Sequence, residues 1–142
     1  MYQKDYILRM LEMLADLIAG ILGLIGKGRF EEAERAVENA YYDFLKQDAS
    51  FFRNIPKAKL TSVLLQKHDY THGHLEVLSE LFFAEAEVKY HLGRQKASLG
   101  YYEKSLILLE FVLEKSKLFS IEKQQRLAFL KNRINELATA LL

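Results

Sequence analysis

Apolar residues recur along this chain at spacings of three and four, the period of one helix face. Leu8, Leu11, Leu14, Ala15, Ile18, Leu22 and Ile25 form the first row, inside a segment beginning near Tyr6. Gly20, Gly23 and Gly26 interrupt that row. Each glycine costs helix propensity, so their presence predicts a neighbouring helix packed closely against them. Gly28 reads as the stop signal. A second helix is predicted over residues 31–46. Its small residues Ala33, Ala36 and Ala40 lie on one side, and Val37, Tyr41 and Phe44 add bulk. Glu31, Glu32, Glu34 and Glu38 cluster early in it, where they suit the positive end of the helix dipole.

Residues 47–56 break the period. Asp48 or Ser50 can cap a short turn through Phe51 and Phe52. Pro56, the only proline, fits the first turn of a short helix over residues 57–66. Residues 68–73 form a second break, with Thr71 as N-cap. Helical spacing returns over residues 74–92, and Gly93 ends it as Gly28 ended the first helix. A fifth helix is predicted over residues 95–117. Ser120 caps a sixth over residues 121–140, with Leu127, Leu130, Ile134, Leu137 and Leu141 as its apolar positions. No sustained alternation and no hairpin dipeptide interrupts this series. The fold class is therefore all-α: about six antiparallel helices in one domain over residues 1–142.

Two segments share a grammar. Leu22 to Phe30 carries a helix into a glycine turn, and Ala33 and Ala40 follow, seven residues apart. Val88 to Arg94 does the same, and Ser98 and Ser105 follow at the same interval. Small residues at such offsets sit where two antiparallel helices cross most closely. This arrangement resembles the tetratricopeptide repeat, a helix–turn–helix unit of about 34 residues. The second copy carries the resemblance best, with Phe82, Ala86, Gly93, Ser98, Tyr101, Tyr102 and Ser105 at motif positions. Glu85, Lys89 and Glu110 depart from it, where the motif has leucine, an aromatic and proline. The first copy keeps Gly28, Phe30, Ala33 and Ala40 but has Leu17 and Ile21 at the aromatic and first small positions. The units span residues 8–46 and 74–117. They flank an irregular middle over residues 47–73 and precede a C-terminal helix over residues 120–141. The opening residues 2–9, followed by a glycine turn and a helix, also resemble a family of short bacterial helical proteins with no assigned activity. Both resemblances imply a TPR-like α–α arrangement, and neither supplies a reaction.

Composition narrows the chemistry. Half of the 142 residues are hydrophobic, which excludes wholesale disorder. No cysteine is present, so disulfides, thiolate zinc sites and cysteine nucleophiles are excluded. Twenty basic side chains face nineteen acidic ones, without the basic excess of a dedicated nucleic-acid binder. A membrane span needs about 20 apolar residues, and Arg9, Glu12 and Asp16 interrupt the most apolar stretch too early. A secretory signal would place its charges before the apolar run and a small-residue cleavage site after it. The sequence therefore reads as a cytoplasmic protein with no membrane partner.

Two clusters carry candidate chemistry. His68, His72 and His74 fall within seven residues, and imidazoles ligate zinc, nickel or copper. The plainer reading is a polar loop with solvated or capping histidines, and no cofactor is assigned. Along the fourth helix, His72, Glu76, Glu80, Glu87 and His91 share one side. Clustered carboxylates can do acid–base work, but a solvated or partner-facing surface is the simpler reading. In tetratricopeptide proteins the first helix of each pair lines a concave groove. The resemblance places Ile18, Ala19 and Leu22 there in the first copy, and Phe83, Ala84 and Glu87 in the second. No basic clamp for a peptide carboxylate is present, so an acidic stripe would suit a basic or amphipathic ligand. A basic run from Lys115 to Arg133 could touch RNA, or could complement acidic neighbours. Phosphate-loop, dinucleotide and hydrolase-elbow motifs are absent.

These readings converge on a non-enzymatic module. It binds a protein or peptide partner through Glu76, Glu80, Phe83, Glu87 and His91, and forms a homodimer if its first or last helix is left uncovered. The alternative is a small metal- or ligand-binding protein using residues 68–74. Gly28, Ala33, Ala40, Gly93, Ser98, Tyr102 and Ser105 are read as turn and packing residues.

Overall fold

A computed structural model describes residues 2–67, 70–116 and 119–142, with residues 2–4 and 67 described by their backbone alone. Seven helices and no strand are present among the described residues. They are α1 (Tyr2–Gly26), α2 (Phe30–Leu45), α3 (Ala49–Arg53), α4 (Leu60–Ser62), α5 (His72–His91), α6 (Gln95–Lys115) and α7 (Ile121–Ala140). None is long and apolar enough to cross a membrane.

The glycine stops close alike. After α1, Arg29 N–H donates to Leu24 C=O at 2.9 Å and Gly28 N–H to Ile25 C=O at 3.0 Å. After α5, Arg94 N–H donates to Lys89 C=O at 2.9 Å and Gly93 N–H to Tyr90 C=O at 3.0 Å. This is the paired Schellman closure, which needs a left-handed residue. Gly28 and Gly93 supply it, with φ of 75° and 80°.

Helix α1 starts at Tyr2, before its apolar row begins, and buries Met10, Leu14, Ile18, Ile21 and Ile25. Helix α5 buries twelve of its 20 residues, so it is central and not amphipathic. Salt bridges fix the helix directions. Lys89 reaches Glu34 while Tyr41 reaches Glu85, so α2 and α5 are antiparallel. Lys123 pairs with Glu76, Arg126 with Glu80 and Arg133 with Glu87, so α5 and α7 are parallel. Helix α1 therefore runs with α5 and α7, and α2 and α6 run against them.

The small residues stand at the crossings. Ala33, Ala40, Ser98 and Ser105 are fully buried. Ser79 Oγ donates to Ser105 C=O at 2.8 Å, and Ser105 Oγ returns the bond to Ser79 C=O at 2.8 Å. This reciprocal pair ties each helix's serine hydroxyl to the backbone of the other, α5 to α6.

Three expectations need correction. A Cβ at Gly20, Gly23 or Gly26 would meet nothing within 4 Å, so no helix among the described residues packs closely against them. The tight approach lies at Gly73, where a Cβ would stand 2.6 Å from Ile7 Cγ2. The short helix expected over residues 57–66 is instead a 3₁₀ turn at Lys57–Lys59, one α turn and a wide π-type turn at Val63–Lys67. Leu60 and Leu64 are both fully buried, and Leu64 C=O accepts from Tyr70 N–H six residues on, which diverts the chain from a regular helix. The capped helix expected from residue 74 begins at His72, directly after its Thr71 cap.

Candidate functional site

Glu85 and Glu87 are two apart on α5, so they point to nearly opposite sides of the helix. Both are buried. Glu85 faces α2 and α3. Tyr41 donates its hydroxyl to Oε1 at 2.7 Å. Arg53 forks onto the same carboxylate, Nε to Oε1 at 3.1 Å and Nη2 to Oε2 at 2.7 Å, and also meets Glu38 at 2.8 Å. Burial, then the Glu85 charge, pushes the Tyr41 hydroxyl well above its ordinary range. Burial alone would lower Arg53, but its bonds to Glu85 and then Glu38 reverse that and raise it.

Glu87 faces α6 and α7. Tyr102 donates its hydroxyl to Glu87 Oε1, and Arg133 Nη1 donates to the Tyr102 oxygen at 2.7 Å while lying 3.4 Å from Glu87. The Arg133 guanidinium also stacks 3.6 Å from the Tyr90 ring centre. Burial raises the Tyr102 hydroxyl, and the Glu87 bond and charge raise it further. Each buried carboxylate is thus answered by one tyrosine and one arginine. These groups are closed on one another, which is the condition for a buried charge to be tolerated.

The stripe expected on a free surface lies beneath α7. Phe83 and Glu87 are buried, and the Phe83 ring meets Phe129 edge-on at 5.7 Å. Arg126 stacks 3.5 Å over Phe83 and lies 3.2 Å from Glu80. Glu76 lies 3.5 Å from Lys123, and burial raises its carboxyl despite that cation. His91 is exposed, 3.7 Å from Glu87. The physical reason is charge pairing across parallel helices: α7 cations neutralise the α5 carboxylates that were read as facing a partner. The same pairing occupies Lys123, Arg126 and Arg133 of the basic run.

The histidines are engaged separately. His74 Nδ1 accepts from Thr71 N–H at 3.1 Å, Thr71 Oγ1 accepts from His74 N–H at 3.4 Å, and the ring stacks on Tyr70 at 5.1 Å. His74 is thus the capping-box residue of α5. His72 meets the Phe111 ring at 5.4 Å. His68 lies outside the described residues. Among the described residues no three histidine or acidic side chains converge as metal ligands.

A groove of about 390 Å³ lies open between α1 and α7, floored by α5. One wall is apolar: Leu11, Ala15, Ile18, Ala19 and Leu22 of α1. The floor is Glu76 and Glu80, and the far edge is Lys123 and Arg126. Glu80 Oε2 and Arg126 Nε are buried without a hydrogen bond, and Glu80 Oε2 is held instead by the ion pair to Arg126 Nη2 at 3.2 Å. Of the groove positions that the tetratricopeptide resemblance implies, Ile18, Ala19 and Leu22 line this wall, whereas Phe83, Ala84 and Glu87 are buried beneath neighbouring helices. The Glu85–Arg53 pair went unrecognised in the sequence, although two glutamates, Glu85 and Glu87, inside the apolar run Leu81–Val88 signal buried ion pairs. No protein-family model, curated protein or solved structure matches the chain.

Proposed function

We propose that the chain is a non-catalytic interaction module that takes a short peptide segment of a partner protein in the α1–α7 groove. The supporting observation is the wall of α1. Ala15 and Ala19 are exposed and Leu22 is 37% exposed, all on one flank that no helix of the chain covers. An apolar side chain laid there gains burial. The peptide backbone then faces the polar edge. Glu80 and Arg126 line that edge as an ion pair, Arg126 Nη2 to Glu80 Oε2 at 3.2 Å, with Lys123 on the same edge. The TPR-like reading agrees with the placement of α1 and α5, since they are the first helices of the two repeat-like units. With the acidic stripe neutralised by α7, the ligand is recognised by its apolar side chains, and a basic ligand is no longer called for.

Selection of a displayed random-peptide library on the full chain tests this. Binders are expected to carry spaced apolar residues and to lose about tenfold or more in affinity on Ala15→Arg or Leu22→Asp. Peptides that bind both variants as well as the original chain would overturn the reading, as would a selection that enriches nothing.

A further inference from the structure

Helix α1 has a second uncovered flank, on the side facing α2. Met13 is 63% exposed and Tyr6 52%. Together with Leu17 and Phe44 they border a groove of about 660 Å³ between the two helices. Tyr6, Arg9, Met13, Asp16 and Gly20 lie along this flank at spacings of three and four, the seam of a helix pair. Arg9 and Asp16 bracket Met13, are both exposed, and form no ion pair with any described residue. Tyr6 and Gly20 stand one heptad before and after Met13.

This pattern complements itself when reversed. We propose that a second copy of this chain packs its α1 antiparallel on this flank, about a two-fold axis at Met13. Arg9 then lies beside the partner's Asp16 and Asp16 beside the partner's Arg9. Tyr6 covers the partner's Gly20, a position where an added Cβ meets nothing within 4 Å in the single chain. Met13 meets its own copy on the axis, and methionine adapts readily to such a contact. A two-fold interface requires this self-complementarity. A parallel pairing would set Arg9 against Arg9 and Gly20 against Gly20, losing both gains. A basic or acidic partner protein would satisfy only one of the two exposed charges.

The test is sedimentation velocity of the full chain over a concentration series, with helix content checked by circular dichroism. The original chain is expected to dimerise. Arg9→Glu and Asp16→Arg are each expected to weaken the dimer by about tenfold or more, since each creates two like-charge contacts. Mixing those two variants restores pairing, because one then presents two acidic groups along the seam and the other two basic groups opposite them. A chain that stays monomeric throughout would overturn the proposal. So would a mixture no more associated than its components, or a dimer that survives Met13→Arg. These residues face away from the α1–α7 groove, so the two proposals fail independently.

Discussion

Tyr41 on α2 donates its hydroxyl to Glu85 on α5 at 2.7 Å, across 44 residues of sequence. Arg53 reaches the same carboxylate from α3. One buried charge therefore ties three separate segments together, and its loss is felt in all of them.

Removing the arginine strands that charge. Arg53→Met is expected to destabilise the chain by about 3 kcal/mol, the low end for a broken buried pair because the guanidinium is partly exposed. Tyr41→Phe leaves the arginine fork intact and is expected to cost about 1 kcal/mol. Urea midpoints measure both, and equal losses would contradict the arrangement.

Arg133 does for α7 what Arg53 does for α3. Arg133→Met removes the cation between Glu87, Tyr102 and Tyr90. Amide exchange is expected to quicken along α7 while α1 and α2 keep their protection. Uniform quickening across the chain would show that α7 is not separately anchored.

The α5 cap carries a pH response. Burial lowers the His74 pKa below its ordinary value. The folded chain thus binds this proton less readily than the unfolded chain. The stabilisation is complete above pH of about 6.5 and is lost as pH falls through the folded value. His74→Gln keeps the reach of a capping box but does not titrate. Its denaturation midpoint is expected to change less between pH 7 and pH 5 than that of the original chain.

Two glycines are expected to respond in opposite directions to alanine. Gly20→Ala, inside α1 with open space around the new Cβ, is expected to raise stability by about 0.5–1 kcal/mol. Gly73→Ala drives a methyl against Ile7 and is expected to lower stability by about 1–3 kcal/mol. Thermal unfolding separates the two.

Much of this architecture is legible in the sequence because it rests on local rules. The apolar period, the glycine stops and the Thr71 and Ser120 caps each act within a few residues. The pairing of helix with helix does not. Glu76, Glu80 and Glu87 show helical spacing, but nothing local shows that Lys123, Arg126 and Arg133 neutralise them from a parallel helix. The irregular middle fails for a related reason: its backbone follows the burial of Leu60 and Leu64, a demand set by the helices around it. Gly20 illustrates the converse, since its local cost suggested a neighbour that the chain itself does not provide.

The three cations of α7 meet the carboxylates of α5 at a nearly constant sequence offset. Sliding α7 by one helical turn, about 5.4 Å, would leave only one of the three cations opposite a carboxylate, Lys123 against Glu80 in one direction or Arg126 against Glu76 in the other. The full set of three pairs therefore forms at one setting of α7 along α5, which fixes the height of the far wall of the groove above its floor. A peptide of the proposed kind would meet there a ruler of constant length, which sets how many residues it can lay between the two walls.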